Sequence, residues 1–255
     1  MPARPLACLA FLLALIAGLL AGCSESSDEP PPPANIVASA PTVSIPANRW
    51  RAVLVAGDNS SPAFDNGIDT LRDRLAGMGV RGITVFSASP GRGQLSTARN
   101  IEAGLRAGGG DACLVYMTSH GDQSGFFLRA GRQMLSPSAL DEALNQGCGE
   151  RPTVVVVSTC HSGTFIIPQA RRPNRIIIAA AATDRTSFGC GADNDYTYYD
   201  QCFLQQLDGA STWRELAEAT RACVHTLEQQ LGVRRESRPQ LFVGAAVANL
   251  KLPGR

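Results

Sequence analysis

The chain has 255 residues, 44% of them hydrophobic and 18% charged, with a formal net charge of +1. That balance allows a sizeable buried core and lacks the concentrated basic footprint that nucleic-acid binding needs, so nucleic acid is set aside as a partner. At the start, Arg4 precedes an apolar stretch from Leu6 to Leu20 and small residues before Cys23, which is the layout of a secretory signal. The stretch is too short, and too closely followed by polar residues, to make a good spanning helix.

The order Leu19-Leu20-Ala21-Gly22-Cys23 resembles the lipobox of bacterial lipoproteins, which implies cleavage after residue 22 and lipid attachment at Cys23. Acyl chains on that cysteine would hold a soluble domain on a membrane without a spanning helix. Ser24 after it implies, by the same resemblance, an outer-membrane anchor facing the periplasm. Residues 23–48 are rich in Ser, Pro and Ala and include Pro30-Pro31-Pro32-Pro33, so they read as a semi-extended tether. The organisation expected is a signal at 1–22, a tether at 23–48 and one folded domain at 49–255.

From Trp50 onward apolar runs alternate with helix-period patterns, the signature of βαβ units around a mostly parallel sheet. Ala52–Ala56 reads as a first strand. Phe64, Ile68, Leu71, Leu75 and Met78 mark one face of a helix, and Ile83–Phe86 a second strand. Ser96 is placed to cap a helix carrying Ile101 and Leu105, which Gly108–Gly110 would stop. The third strand is Ala112–Met117, and Phe126–Leu128 reads as a short hairpin strand beyond it. Ser136-Pro137 opens the next helix with a cap and a proline whose missing N–H costs nothing there. Thr153–Val157 is β-branched and apolar on both faces, hence central. Arg175–Ala180 and Gln240–Val243 complete the strands, and between them Thr212-x-x-Glu215 is a capping box opening a helix faced by Trp213, Leu216, Thr220, Cys223, Val224 and Leu227. The fold class expected is α/β, a three-layer sandwich with the sheet in the middle.

Eight cysteines occur. With Cys8 removed and Cys23 acylated, Cys113, Cys148, Cys160, Cys190, Cys202 and Cys223 remain, in an exported domain where disulfides form. If Cys160 stays free, an odd number is left, so one further thiol should be unpaired; spacing does not give the connectivity. Cys223, on a helix stripe, reads most simply as a core residue. No Cys-x-x-Cys pair occurs, and His120, His161 and His225 lack zinc-ligand spacing, so neither a metal site nor a cofactor is expected.

Two segments carry chemistry. Thr118-Ser119-His120-Gly121-Asp122 and Ser158-Thr159-Cys160-His161-Ser162-Gly163 each directly follow a buried strand. If those strands are parallel neighbours their backbones lie about 4.8 Å apart, and residues just past their carboxyl ends can meet. A histidine beside a thiol lowers its pKa or takes its proton during attack, then protonates the leaving amine. The N–H groups of Gly121 and Cys160 are candidate oxyanion donors. His161 is a rival partner for Cys160, but neighbouring residues of an extended strand end point opposite ways, so it is expected at the cleft rim or behind it.

Apolar strand, Ser-His-Gly, apolar strand, Thr-Cys-x-Ser-Gly and then Ala182–Cys190 together resemble the legumain family of cysteine peptidases in the caspase-like clan. The resemblance spans roughly Ala52 to Phe203 and implies a caspase-like fold, a peptide or protein substrate, and a His120–Cys160 dyad with no obligatory third carboxylate. Legumain has an acidic residue where this chain has Ser158, and an Arg-His pair where it has Asp65-Asn66, so cleavage after Asn is not implied. Ser158, Ser187 and Asp200 match pocket positions of the family and are the candidate substrate-binding residues. Asp65 reads better as a helix cap than as a substrate contact, and Asp200 equally as a solvated loop charge.

These features point to a cysteine endopeptidase of the bacterial envelope working through a thioester acyl-enzyme. A transpeptidase or transamidase would use the same acyl-enzyme. A non-catalytic envelope lipoprotein that keeps the fold for binding is the reading from another class, whereas a thiol redox enzyme lacks a resolving cysteine close in sequence.

Overall fold

The computed structural model of the protein describes residues 41–191 and 193–255. The signal at 1–22, the lipid site Cys23 and tether residues 24–40 lie outside the described residues. In chain order the first half holds Thr42–Val43 (β1), Trp50–Ala56 (β2), Pro62–Gly77 (α1), Gly82–Ser87 (β3), Gln94–Leu95 (β4), Ala98–Arg106 (α2) and Ala112–Thr118 (β5). Gly121–Asp122 (β6), Gly125–Leu128 (β7), Gln133–Leu135 (β8), Pro137–Gly147 (α3) and Thr153–Ser158 (β9) follow. The last part holds Arg175–Ala179 (β10), Tyr198–Gln206 (α4), Trp213–Gln230 (α5), Gln240–Val243 (β11) and Asn249–Leu250 (β12).

Seven strands form the central sheet in the order β11-β10-β9-β5-β2-β3-β4, parallel except for β11 against β10. Alternation along each strand sorts the core into two layers. Leu54, Leu114, Tyr116, Val154 and Ile178 face α1, α4 and α5, while Val55, Val115, Met117, Val155 and Ile177 face α2 and α3. β9 is buried along its whole length between β5 and β10, which is why its sequence is β-branched on both faces.

Caps account for the helix starts. Ser61 accepts from the Ala63 N–H, and Ser136, followed by Pro137, accepts from Ala139. Both halves of the Thr212/Glu215 capping box form. Asp65 is not a cap: Ser61 fills that role, and Asp65 lies inside the first turn of α1. Likewise Thr97, not Ser96, caps α2, because the Ser96 N–H extends the pairing with β3 by bonding to the Ser87 carbonyl. The sequence reading also missed α4.

The folded part begins before residue 49. Thr42–Val43 pairs parallel with Asn249–Leu250, the Ile45 carbonyl accepts from Trp50 Nε1 at 3.2 Å, and Val43 and Ile45 pack on the core. Two apolar side chains two residues apart suffice to dock this stretch, despite its polar and proline-rich surroundings. Disulfides join Cys113 to Cys148 and Cys202 to Cys223, so Cys223 ties α5 to α4 rather than serving only as an apolar core residue. Cys160 and Cys190 are the free cysteines among the described residues, as the odd count requires.

At the start of β10, Arg175 is fully buried, its guanidinium bonded to Asp141 and, at 2.6 Å, to Asn145 Oδ1 of α3. Removing one partner of a buried ion pair strands the other charge, at a cost of about 3–5 kcal/mol. Asp141→Ala is therefore expected to lower unfolding stability by about that amount in urea titration; a loss below about 1 kcal/mol would mean that solvent already reaches the guanidinium.

Candidate active site

Strand register brings the two motifs together. Thr118 of β5 sits directly opposite Ser158 of β9, and His120 and Cys160 each follow that pair by two residues. The Ser119 N–H donates to the Ser158 carbonyl at 3.2 Å, which carries the parallel ladder one step past β5. Both side chains line one cavity at the carboxyl ends of the strands, together with Phe64, Ser158, Ser187 and Cys190 among others. In chain order β3 lies on one side of β2 and β5 on the other, so the cavity adjoins the point where the winding reverses, where open α/β sheets take ligands.

His120 is held from several directions. Its carbonyl accepts from the Phe127 N–H at 3.0 Å, its ring meets Phe64 edge-on with centroids 5.1 Å apart, and Nε2 lies 3.5 Å from Ser60 Oγ. Phe64 and Ser60 come from the start of α1 and the β2–α1 connection, two partners the sequence reading did not foresee. His161 is directed elsewhere, as expected, but for a different reason than strand alternation. Its backbone is left-handed at φ 57°, its N–H donates to the Arg185 carbonyl, and Nδ1 donates to the Thr183 carbonyl at 2.8 Å.

Cys160 is half-buried. Its thiol donates to the Ser187 carbonyl at 3.6 Å and accepts from the Ser187 N–H at 3.4 Å. Burial pushes the thiol above its ordinary range; the Ser187 N–H opposes this and nearby Cys190 adds to it.

Gly121 has a steric reason to be glycine. A Cβ there would fall 2.4 Å from Thr159 Oγ1 and 2.7 Å from the Gly125 carbonyl oxygen. The loop after β5 and the loop after β9 are thus interlocked next to His120 and Cys160. Gly189, at φ 86°, is likewise closed to side chains, since a Cβ would meet the Tyr198 backbone nitrogen at 2.6 Å.

Of the candidate substrate-binding residues, Ser187 and Ser158 line the cavity and Asp200 does not. Asp200 is fully buried at the start of α4, with its carboxylate accepting from Tyr116 OH and Thr118 Oγ1 at 2.6 Å each. It is neither a substrate contact nor a solvated loop charge, because its oxygens are occupied beneath the cavity floor. Asp65 is also turned inward, accepting from Ser87 Oγ at 2.6 Å and Ser89 Oγ at 2.5 Å. Thr197-x-x-Asp200 was the available signal, since Thr197 Oγ1 caps α4 by accepting from the Asp200 N–H at 3.0 Å.

The peptidase C13 family model matches residues 92–237, more than half of the chain and inclusive of both motifs. The chain belongs to the peptidase C13 family. Among solved structures, caspase-1 from Spodoptera frugiperda aligns with a TM-score of 0.58 at 13% identity, over 81% of this chain and 89% of that one. That likeness is one of fold, and it makes the sandwich caspase-like. No curated protein matches the chain. As a C13 member with this fold, the chain is a cysteine peptidase, the legumain relationship expected from its motifs.

Gly121→Ala is expected to push the two loops apart and to reduce kcat/KM about 100-fold, the scale of a displacement near 1 Å at reacting groups. Steady-state peptidase assays with circular dichroism on the variant check this, and near-normal turnover would show that the interlock is dispensable. Burial also holds the Asp200 carboxyl above the usual carboxylate range, outweighing the hydroxyl groups of Thr118 and Tyr116 that pull it down. With a folded-state pKa above the unfolded value of about 3.9, the folded protein binds this proton more tightly, so stability falls as pH rises through that window. As pH rises above about 4, the Tm of the native protein is expected to decline relative to Asp200→Asn; parallel Tm curves would contradict the assignment.

Proposed function

We propose that the chain is a cysteine endopeptidase of the bacterial envelope in which Cys160 is the nucleophile and His120 moves the proton. The observation that carries this reading is the matched register, which puts an imidazole and a thiol two residues past Thr118 and Ser158 into one cavity. The sulfur attacks the scissile carbonyl carbon as His120 takes the thiol proton, and the N–H groups of Gly121 and Cys160 receive the developing oxyanion. Collapse expels the amine with a proton from His120 and leaves a thioester, which water cleaves to the acid with His120 as base.

A raised thiol pKa favours proton transfer during attack over a preformed ion pair. The weak bond from Sγ to the Ser187 carbonyl is the contact that must open first. Two disulfides among the described residues suit an exported protein, which fits an envelope location and acylation at Cys23.

His120→Ala is expected to lose about 100-fold or more in kcat/KM, the scale of general acid–base catalysis, and to slow iodoacetamide labelling of Cys160. His161→Ala is expected to keep both within a few-fold. Activity that survives loss of His120 but not of His161 would reverse the roles. A disulfide at Cys160 in the mature protein would remove the nucleophile altogether.

A further inference from the structure

We propose that Asp58 and Arg129 are positioning residues for His120: their ion pair locks together the two segments that hold this histidine, and through Ser60 it fixes the imidazole for proton transfer. The inference rests on the peptidase reading and extends it to two residues that do not line the cavity.

One segment is the connection between β2 and α1, residues 57–61. It carries Ser60, whose Oγ lies 3.5 Å from His120 Nε2, and its Gly57 N–H donates to the Thr118 carbonyl at 3.0 Å. The other segment is β7. There the Phe127 N–H donates to the His120 carbonyl at 3.0 Å, and the Phe127 carbonyl accepts from Ser119 Oγ at 2.8 Å. The two segments pass so closely that a Cβ on Gly57 would lie 2.4 Å from the Phe127 carbonyl oxygen. One segment thus meets the ring of His120 and the other its backbone.

Arg129, directly after β7, grips the connection twice. Its N–H donates to the Gly57 carbonyl at 2.9 Å, and its guanidinium donates from Nε to Asp58 Oδ1 at 2.5 Å and from Nη2 to Asp58 Oδ2 at 3.1 Å. Asp58 Oδ1 also accepts the Ser60 N–H at 2.7 Å, so the same carboxylate shapes the turn that presents Ser60. The carboxylate is fully buried, whereas the guanidinium is half-exposed above the Phe127 ring. A buried carboxylate is costly without a partner, and a two-pronged guanidinium contact fixes direction as well as distance. Burial pushes the Asp58 carboxyl up, but the bonds from Arg129 and Ser60 outweigh it and hold it below its ordinary value.

With the guanidinium gone, the carboxylate would turn toward water and draw the Ser60 turn with it. An ion pair that served the fold alone would instead lower Tm and leave the turnover of folded enzyme unchanged. The test separates these outcomes. Arg129→Met, Arg129→Lys, Ser60→Ala and the two double variants are assayed on one peptide that the parent protein cleaves, drawn from a mixed-sequence library, with kcat referred to the fraction folded by circular dichroism. Arg129→Met is expected to lower kcat about ten-fold or more with KM within about two-fold, the sign of a contact needed in the transition state. Arg129→Lys keeps the charge without the fork and covers the case in which the Met variant does not fold; its kcat is expected to fall about three-fold or more.

Ser60→Ala is expected to cost about three-fold in kcat on its own and to add almost nothing in either Arg129 background, because groups acting through one contact are not additive. Unchanged kcat in a folded Arg129 variant, or the same Ser60→Ala loss in every background, would overturn the inference while leaving the peptidase reading intact. No peptide cleaved by the parent protein, together with iodoacetamide labelling of Cys160 independent of His120, would overturn both.

Discussion

The pairing of β5 with β9 is the constraint on which the site depends. In a parallel ladder the register is discrete, and a slip of one residue turns each side chain to the opposite face. Here it is held by buried rows on both faces, Val115, Met117, Val155 and Val157 on one and Leu114, Tyr116, Val154 and Val156 on the other. A slip would thus move apolar side chains between two layers already packed against different helices. Core packing, rather than any bond between histidine and cysteine, puts imidazole and sulfur at one height. The resting thiol can then stay with Ser187 without loss of alignment.

A second layer of order lies beneath the cavity. Asp200 joins α4 to β5 through Tyr116 and Thr118, and Thr197 links the same helix start to Ser158 just ahead of the nucleophile. Hydroxyl groups thereby satisfy a carboxylate that burial alone would penalise heavily. The donors of Tyr116 and Thr118 are oriented inward, toward the carboxylate.

Much of the architecture is legible in the chain because strands and helices differ in period. β2, β3, β5, β9, β10 and β11 lie where the apolar runs are, and capped starts at Ser136 and Thr212 are marked by local chemistry that tertiary contacts do not override. α4 was obscured because its short span Tyr-Tyr-Asp-Gln-Cys-Phe-Leu-Gln-Gln carries a weak apolar stripe and an acid whose partners come from β5, 82 and 84 residues away. The cap of α2 fell on Thr97 because strand pairing engaged Ser96, a competition invisible in sequence. His120 and Cys160 were found from their positions after buried strands. Ser60 and Phe64 meet His120 only through folding, since their own neighbourhoods mark a turn and a helix face and not a site.

The seam between β1 and β12 sets the distance between the start of the folded domain and the cleft. It is stitched to the amino-terminal pole of the sheet, where Leu252 bonds to Ser211 and Ala47 lies under Gly79 at the end of α1. β2 then runs seven residues to the opposite pole, a rise of about 23 Å at 3.3 Å per residue. Thr42 and the cleft that holds His120 and Cys160 therefore belong to opposite poles of the sheet, joined by the full length of β2.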